Sequence, residues 1–439
     1  MDHDAVLLEQ ELNRIAGETD GRLSFMASGL KGSEILKIAT DIRKMQAEGI
    51  EICNLTVGDF GPAQFRIPQL LEASIKEALT QGETNYPPTD GIGDLKKGVQ
   101  ELYRHQLNLD YPQESIIITS GSRPGIYGTY NTVVDPGDTV VYPVPSWNNN
   151  HYCHITRAVG KPVVCGEEDE FLPTASLLKD VVTSARLITL NSPLNPTGTA
   201  FRRTALEEIC DLVLEENEAR KKTGRRPLYV MYDQVYWTLT FGTTEHVNPV
   251  SLRPEMVEYT IFVDGISKAF AATGVRVGWA LGPRDIIQRM VSLLAHVGAW
   301  APRAEQVATA KFLNATSEVK RATMSMKAGL HERLDALYAG ITALREQGFP
   351  VNAIVPMGAI YLSVQFRLMG KRTPSGMLLK TNEDIRQYLL QDAQLAVVPF
   401  QAFGSSENTG WCRLSVGAVS VREIQSMFGC LKNSLSKLT

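Results

Sequence analysis

The segment Tyr259-Thr-Ile-Phe-Val-Asp-Gly-Ile-Ser-Lys-Ala-Phe270, followed by Thr273-Gly-Val-Arg-Val-Gly-Trp279, contains the clearest structural signal in this chain. Its first five residues are mainly β-branched or aromatic, which is typical of a buried strand. Lys268 follows this strand among small residues. An amine in a desolvated place near other cations has a lowered pKa, so Lys268 is a candidate nucleophile.

Further apolar runs precede this segment, at residues 115–119, 138–143, 185–190 and 228–232. A helix is predicted before the last of them, with a capping box at Thr204-Ala-Leu-Glu207 and an apolar stripe that includes Leu206 and Ile209. Mostly apolar strands that alternate with amphipathic helices indicate an α/β fold. We therefore expect a mostly parallel sheet sandwiched by helices.

The sequence pattern changes after residue 310, and it divides the chain into a large and a small domain. A broken helical pattern reaches residue 347, shorter strands follow at 361–366 and 395–399, and a capping box at Ser420-Val-Arg-Glu423 opens a last helix. Two helices are also predicted near the N-terminus, at 4–16 and 35–47. We expect an N-terminal arm or helix at 1–20, a large domain at 61–310, and a smaller α+β domain formed by 21–60 with 311–439.

Composition excludes several classes of protein. The 439 residues are 44% apolar and 21% charged, an ordinary globular balance, and 44 Lys and Arg against 48 Asp and Glu give a net charge of −4. A general basic field that would attract nucleic acid is absent. The six cysteines form no C-x-x-C pair, and no metal site is predicted. The sequence has no signal-peptide or membrane-helix pattern, so we expect a cytoplasmic protein without a membrane or nucleic-acid partner.

Chemically distinctive residues follow each predicted strand, where ligands bind in open α/β sheets. Taken singly, each has an ordinary interpretation: a turn, core packing, a helix cap or a solvated charge. Together they offer a phosphate cradle, a stacking aromatic ring, an amide, an acid and an amine, which match the chemical handles of pyridoxal 5'-phosphate. These features lie at Ser120–Gly125, Trp147, Asn195, Asp233 and Lys268.

The chain resembles the class I/II aminotransferases. These are pyridoxal-phosphate enzymes of fold type I, similar to aspartate aminotransferase. The motifs that carry the resemblance stand in the same order here: Asn195-Pro-Thr-Gly198, Asp233-x-x-Tyr236, Ser267-Lys268 and Gly274-Val-Arg-Val-Gly278. The resemblance extends from about Gly58 to the C-terminus.

The resemblance implies catalytic and ring-binding roles for five residues. Lys268 forms a Schiff base with pyridoxal phosphate and moves the proton of the substrate Cα. Asp233 pairs with the ring nitrogen, while Tyr236 and Asn195 bond to the phenolic oxygen of the ring. Trp147 stacks on the ring.

The resemblance also implies how the phosphate and the substrate are bound. Four side chains are expected near the phosphate: Ser122, Arg123, Ser267 and Arg276. Arg413 matches the arginine that grips the substrate α-carboxylate, and Gly58 matches a backbone donor to the same group; Asn195 belongs to this substrate site as well. Tyr86 matches a tyrosine that reaches the phosphate of the neighbouring subunit, which implies a homodimer with shared active sites.

The chain departs from the family pattern at three places. Gly265 stands where relatives commonly have a phosphate-binding serine, so that contact is missing or comes from elsewhere. Residues 58–62 read Gly-Asp-Phe-Gly-Pro where the family often has Gly-Glu-Pro-Asp-Phe. Asn150 stands where some relatives place a histidine behind the aspartate.

These features predict an aminotransferase that works by a ping-pong cycle. An L-amino acid leaves as a 2-oxo acid, and a second 2-oxo acid, such as 2-oxoglutarate, takes the amino group. Aspartate or glutamate is the default substrate, and Lys31 or a partner arginine is a candidate for its distal carboxylate. A lyase, decarboxylase or synthase on the same fold is the alternative. A cofactor-sensing transcription regulator is the least favoured, because the residues before Gly58 are too few and not basic enough for a DNA-binding domain.

Overall fold

The structure is a computed structural model that describes residues 22–30 and 34–439. The helix expected at 4–16 and the candidate Lys31 lie outside these residues. The strands are β1 (Cys53–Asn54), β2 (Ile116–Thr119), β3 (Thr139–Val144), β4 (Val159–Val164), β5 (Ala185–Asn191), β6 (Tyr229–Asp233), β7 (Thr260–Gly265), β8 (Gly278–Leu281), β9 (Val351–Ala353), β10 (Tyr361–Phe366), β11 (Leu395–Ala396), β12 (Val398–Pro399) and β13 (Trp411–Ser415).

The described helices separate most of these strands along the chain. They are α1 (Phe25–Gly29), α2 (Glu34–Ala47), α3 (Gln69–Thr80), α4 (Gly93–Leu107), α5 (Ser122–Val133), α6 (Asn149–Thr156), α7 (Ala175–Val182), α8 (Arg203–Thr223), α9 (Pro249–Leu252), α10 (Ile266–Ala269), α11 (Arg284–Val297), α12 (Arg303–Asn314), α13 (Thr316–Glu346), α14 (Asn382–Asp392) and α15 (Val421–Ser436).

The largest sheet has seven strands in the order β2-β8-β7-β6-β5-β3-β4. β8 runs antiparallel to its neighbours β2 and β7, and the other adjacent strands pair in parallel. The expectation of a mostly parallel sheet is confirmed. Because the parallel strands all end at one edge, the loops that follow them converge there.

Both faces of this sheet are buried except along the edge strand β4, where five of six residues are exposed, and this burial explains why the inner strands read as continuous apolar runs. Along β6, Val230 and Tyr232 pack into the core on one face, and Tyr229 and Met231 pack into the core on the other. Helices cover both cores: α4 and α8 contribute to the first, and α5 and α11 to the second.

A separate core forms around the four-stranded antiparallel sheet β12-β13-β10-β9, with α13, α14 and α15 packed against it. β1 joins this half of the molecule by pairing with β11. The core also includes Tyr236 and Leu239, which follow β6 in the large sheet. The first core continues along the chain as far as Val319. The proposed division at residues 60 and 310 remains a prediction.

The two predicted capping boxes have different outcomes. The one at Ser420 is confirmed, because Ser420 and Glu423 each accept a hydrogen bond from the other's backbone N–H. The one at Thr204 is wrong. Helix α8 begins at Arg203, and Arg202 precedes it without a side-chain cap, so Thr204 lies inside the first turn.

Candidate active site

The loops at the carboxyl edge of the large sheet meet the small antiparallel sheet in a cleft with a volume of about 770 Å³. The cleft brings together all the predicted site residues except Tyr86. These are Gly58, Ser122, Arg123, Trp147, Asn195, Asp233, Tyr236, Ser267, Lys268, Arg276 and Arg413. Residues that are far apart in the sequence, and come from both sheets, therefore form a single site.

Lys268 lies in the short helix α10, which follows β7 directly. Its Nζ donates a hydrogen bond to the carbonyl oxygen of Gly58 at 2.7 Å. Burial lowers the pKa of the Lys268 amine to about 8, an effect that Asp59 opposes and the cations Arg413 and Arg123 reinforce. The lowered pKa expected from the sequence is confirmed. About a tenth of this amine is consequently uncharged and nucleophilic at pH 7, compared with less than about 0.1% for an ordinary lysine.

Asp233 is the last residue of β6 and lines the floor of the cleft. One of its oxygens accepts a hydrogen bond from the N–H of Val235 at 3.2 Å. Burial raises the pKa of the Asp233 carboxyl to about 7, and the nearby charge of Lys268 only partly opposes this rise. A buried carboxyl group with so little compensation is poised to receive a cationic partner.

A side-chain bridge fixes the loop that carries Asn195. Asn191, at the end of β5, donates to the carbonyl oxygen of Asp233 at 2.8 Å and accepts from the N–H of Asn195 at 2.8 Å. The ends of β5 and β6 are thereby tied to the start of the Asn195-Pro-Thr-Gly198 turn. This turn also rests on the second sheet, because Ser363 of β10 donates to the carbonyl oxygen of Thr197.

The N-terminus of α5 opens onto the cleft where the sequence predicts a phosphate cradle. Helix N-termini present N–H groups without helical partners, which favour an anion. Arg276 lies beside this terminus and donates to the carbonyl oxygens of Ser120 and Thr273 at 2.9 and 2.7 Å. Two glycines make the approach possible: a Cβ on Gly121 would lie 2.2 Å from Nη2 of Arg276, and one on Gly278 would lie 2.7 Å from the nitrogen of Ser122.

The structure explains why Gly265 carries no side chain. A Cβ at this position would lie 2.8 Å from Cα of Gly278 and 2.9 Å from the carbonyl oxygen of Val277, both of which are backbone atoms. A serine therefore does not fit where β7 and β8 run so close together. Thr273, which the sequence analysis did not assign to the site, also lines the cleft.

Trp147 follows β3 and lines the cleft beside Arg123, whose guanidinium carbon lies 5.6 Å from the centroid of the indole ring. Asn149, rather than Asn150, lies at the back of this region. Asn149 lines a small cavity together with Asp233, and its side chain bonds to Tyr130, Ser146 and Thr189. Asn150 is exposed, so it does not occupy the place behind the aspartate that the family pattern implied.

Arg413 reaches into the cleft from β13 and is only 1% exposed. Its Nη1 donates to Oδ1 of Asn195 at 3.1 Å, and its Nη2 donates to the carbonyl oxygen of Thr56 at 2.7 Å. Its Nε is buried without a partner, and within the described residues the guanidinium forms no ion pair. A buried and unneutralised guanidinium is costly, and a carboxylate would neutralise it.

The rings of Tyr361 and Phe403 flank the Arg413 guanidinium, with centroids 4.7 and 4.8 Å from its central carbon. Gly58 lies on the same wall of the cleft. A Cβ on Gly58 would lie 3.2 Å from the Tyr361 hydroxyl and 3.3 Å from Nη1 of Arg413, so a side chain would crowd this region. Tyr361 was predicted as part of a strand but not as a site residue.

Tyr86 is outside the cleft. It lies on an exposed loop, 81% accessible, with its ring edge-to-face against Trp300 at 5.5 Å. Its expected role in a neighbouring subunit remains a prediction. In the parts of the chain that the structure describes, no cluster of His, Cys, Asp and Glu could hold a metal ion, and no helix is long and apolar enough to cross a membrane.

A second buried acid, Asp264, lies in β7 just before α10, the helix that carries Lys268. This residue was not assigned to the site from the sequence. It accepts hydrogen bonds from the hydroxyl of Tyr103 at 2.9 Å, from the indole of Trp237 at 2.8 Å and from the N–H of Gly265 at 2.7 Å. Burial raises the pKa of the Asp264 carboxyl to about 7, and the three donors oppose the rise. Asp264 directly follows the strand predicted at residues 259–263. The side chains that bond to it belong to elements distant in the sequence.

Comparison with known proteins identifies the family of this chain. The family model "Aminotransferase class I and II" matches residues 50–428. An aspartate aminotransferase of Rhizobium meliloti (strain 1021) is 32% identical over 86% of this chain and 88% of its own length. A crystal structure of the aspartate aminotransferase from Rhizobium meliloti has a TM-score of 0.85 and 28% identity, covering 95% of this chain and all of that one.

A second solved structure is that of the Thermus thermophilus aspartate aminotransferase with maleate. It has a TM-score of 0.82 and 25% identity, and the match covers 94% of this chain and 99% of that one. The family match over most of the chain, the fold shared with these enzymes and the assembled cleft agree with one another. The chain belongs to the class I and II aminotransferases and is a transaminase.

Proposed function

We propose that this aminotransferase uses pyridoxal 5'-phosphate bound to Lys268 and transfers the amino group of aspartate or glutamate to a 2-oxo acid such as 2-oxoglutarate. One observation carries the proposal: a single cleft contains an amine with a lowered pKa, a buried acid and a buried guanidinium that is not neutralised. These are Lys268, Asp233 and Arg413. Burying any one of these groups without a partner costs free energy. Each group is complementary to one part of an amino acid linked to this cofactor.

The residues of the cleft fit the cofactor. Asp233 supplies a carboxylate for the protonated ring nitrogen, and the N-terminus of α5 with Arg276 suits the phosphate. Tyr236 and Asn195 line the cleft between Asp233 and Arg413, where they can bond to the phenolic oxygen. When bound, the cofactor supplies an electron sink that stabilises the negative charge formed at the substrate Cα.

The other steps belong to side chains of this chain. Arg413 binds the α-carboxylate and orients the substrate, with the backbone of Gly58 on the same wall. Lys268 Nζ takes the proton from the substrate Cα, because an amine with a pKa near 8 is partly unprotonated at neutral pH. Lys268 would then give this proton to the cofactor carbon that is linked to the substrate nitrogen. Water would release the 2-oxo acid while the amino group stays on the cofactor, and a second oxo acid would take that group with the same residue roles in reverse.

Two observations support a dicarboxylic substrate: the relatives of this chain, and one further cationic side chain in the cleft. The Rhizobium meliloti relative is named for aspartate, and the Thermus thermophilus structure contains maleate, which is a dicarboxylate. In this chain Arg43 of α2 also lines the cleft. Its guanidinium bonds only to neutral acceptors in the described structure, the carbonyl oxygen of Ala39 and the hydroxyl of Thr40, so it is available for a distal carboxylate.

Borohydride reduction tests the cofactor assignment. Reduction of the loaded enzyme followed by peptide mapping should place a pyridoxyl label on Lys268. Lys268→Ala should bind cofactor through the phosphate cradle but take no label and show no transamination. Lys311→Ala is the control, since Lys311 pairs with Glu77 on the surface. A label on another lysine contradicts the site assignment, and no label at all contradicts the cofactor.

A panel of amino donors tests the substrate class. Arg43→Gln should raise KM for aspartate and glutamate by at least about tenfold, the loss expected for one charged hydrogen bond, and leave KM for alanine unchanged. Lys44→Gln is the matched control, because Lys44 is the next residue of the same helix and does not line the cleft. Equal effects of Arg43→Gln on all donors would remove Arg43 from the specificity site.

The proposal includes a homodimer in which Tyr86 of each subunit completes the phosphate site of the other. The exposed position of Tyr86 is compatible with this, because its side chain is accessible to a neighbouring subunit. The cytoplasmic location expected from the sequence remains a prediction.

A further inference from the structure

Tyr361 of β10 connects two parts of the cleft that have separate tasks. Its side chain is 1% exposed, and its hydroxyl oxygen lies 2.7 Å from the hydroxyl oxygen of Tyr236. The face of its ring lies against the guanidinium of Arg413. One residue thus contacts both the arginine that is expected to bind the substrate and the tyrosine that is expected to bind the cofactor ring.

The direction of the hydrogen bond between the two tyrosines follows from their surroundings. Within the described residues, Tyr236 is the hydrogen-bond partner that the structure gives to the Tyr361 hydroxyl. A buried hydroxyl proton without an acceptor is costly. Under the proposed function Tyr236 has a second acceptor, the phenolic oxygen of the cofactor, whereas Tyr361 has none, so we infer that Tyr361 donates to Tyr236. The positive charge of Arg413 over the Tyr361 ring makes this phenol a stronger donor. The proton of Tyr236 is then free to point into the cleft.

We propose that Tyr361 is a positioning residue that donates to Tyr236, directs the Tyr236 proton towards the phenolic oxygen of the cofactor, and supports the Arg413 guanidinium with its ring. This inference rests on the proposed function, and it adds a residue that acts through two others. Its hydroxyl affects the cofactor end of the cleft, and its ring affects the substrate end. The two effects are therefore separable by substitution.

The hydroxyl effect has a definite sign. A hydrogen bond donated to the phenolic oxygen draws negative charge away from the neighbouring nitrogen of the lysine link, and so lowers the pKa at which that nitrogen gains a proton. A phenol that itself accepts a hydrogen bond is a stronger donor, by roughly 10–30%. Removing the Tyr361 hydroxyl should weaken the donation by Tyr236 and raise this pKa.

Absorbance measured against pH on the cofactor-loaded enzyme tests the hydroxyl effect. Tyr236→Phe should raise the pKa of the lysine-bound cofactor. Tyr361→Phe should raise it by a smaller amount, about a few tenths of a pH unit, in keeping with a secondary effect of this size. In the Tyr236→Phe background, Tyr361→Phe should produce no further shift, because its route to the cofactor is gone.

Steady-state kinetics tests the ring effect. Tyr361→Phe keeps the ring and should leave KM for amino and oxo acids unchanged. Tyr361→Leu removes the ring and should raise both KM values. Tyr388→Phe is the control, since Tyr388 is also buried but donates to the carbonyl oxygen of Ser434, in the core of the small sheet. It should change neither the absorbance titration nor KM.

Two results would overturn the inference. One is a Tyr361→Phe enzyme with the wild-type absorbance titration when Tyr236→Phe shifts it. The other is a Tyr361→Leu enzyme with wild-type KM values. A wild-type enzyme with no lysine-bound absorbance has a different meaning, because it contradicts the proposed function itself along with everything built on it.

Discussion

At the scale of single residues, the lowered pKa of Lys268 governs how fast the cofactor attaches. Only the uncharged amine attacks an aldehyde, and burial puts the Lys268 pKa at about 8. The association rate of pyridoxal phosphate with the cofactor-free enzyme should rise with pH and level off above about pH 8. Stopped-flow absorbance measures this rate. A profile that rises to a midpoint near the ordinary lysine value of 10.5 would contradict the burial effect.

The Asp233 carboxyl makes a stability prediction for the cofactor-free enzyme. Its pKa is about 7 in the folded chain against an ordinary value of 3.8, so the folded chain holds the proton more tightly. Its contribution to stability is fully present below pH 3.8 and is lost as the pH rises through 7. The Asp233→Asn enzyme has no carboxyl group here and does not lose stability in this way. Above pH 7 and without cofactor, its free energy of unfolding should exceed that of the wild type by at most about 4 kcal/mol.

Urea unfolding of both proteins from pH 4 to pH 8 measures this difference. The order should reverse with cofactor present, because the ring nitrogen then pairs with Asp233 but not with asparagine. Transamination by Asp233→Asn should fall by several orders of magnitude, since a neutral amide does not hold the ring proton. If the free energies of unfolding of the two cofactor-free proteins change with pH in parallel, the Asp233 carboxyl is not the source of the pH dependence.

At the scale of elements, close packing between β8 and the start of α5 holds the phosphate cradle. A Cβ on Gly278 would lie 2.5 Å from the carbonyl carbon of Gly121, so Gly278→Ala must push the two segments apart. Such overpacking typically costs about 1–3 kcal/mol. The dissociation constant for pyridoxal phosphate should rise at least about tenfold, as expected for a displaced helix terminus.

Gly274→Ala provides the matched control for this substitution. Gly274 is four residues earlier in the same motif, and no atom lies within 4 Å of the position that its Cβ would take. Equilibrium binding of cofactor by the two variants, followed by fluorescence, distinguishes local crowding from a general effect of alanine. Equal affinities of both variants and the wild type would show that the cradle tolerates displacement.

The elements that could be predicted from the sequence are those fixed by local pattern or by burial on both faces. The inner strands of the large sheet read as apolar runs because neither of their faces contacts water, as the alternation of Tyr229 and Val230 shows. The exposed edge strand β4 has no such run and was not predicted. Local motifs were less reliable where packing sets the helix start. The capping box at Ser420 forms, whereas α8 begins one residue before Thr204.

The site residues that could be predicted are those inside ordered motifs, such as Lys268 and Asp233. Those that could not are defined by contacts between distant segments. Tyr361 meets Tyr236 across 125 residues, and Asp264 meets Tyr103 across 161. A tyrosine in an apolar strand carries no local sign of such a partner. Only the packing of the small sheet against the loops of the large one reveals it.

At the scale of the whole molecule, the position of Tyr86 makes a prediction about assembly. If Tyr86 completes the neighbouring phosphate site, two defective subunits can repair each other. A dimer of one Tyr86→Ala subunit and one Lys268→Ala subunit has one intact site, because that site takes its lysine from the first chain and its tyrosine from the second. The purified mixed dimer should therefore have about half of wild-type activity.

Co-expression of the two differently tagged variants, with tandem purification of the mixed dimer, measures this complementation. Each variant assembled alone is the control and should have little activity at limiting cofactor. If Tyr86 instead acts within its own subunit, the mixed dimer has no intact site and stays as inactive as its parents. A protein that sediments as a monomer at full activity rules out the shared site altogether.

The fixed position of Arg413 also bears on inhibition. The guanidinium is held by Thr56, Asn195 and two aromatic rings. If it binds the substrate carboxylate as proposed, it receives every carboxylate in the same orientation. An amino donor and an oxo acceptor must then take turns at one anchor, although they visit different forms of the enzyme. A small carboxylic acid with no amino or oxo group occupies that anchor without reacting. Such compounds should compete with donor and acceptor alike, and high concentrations of either substrate should slow the enzyme by binding to the form that awaits the other.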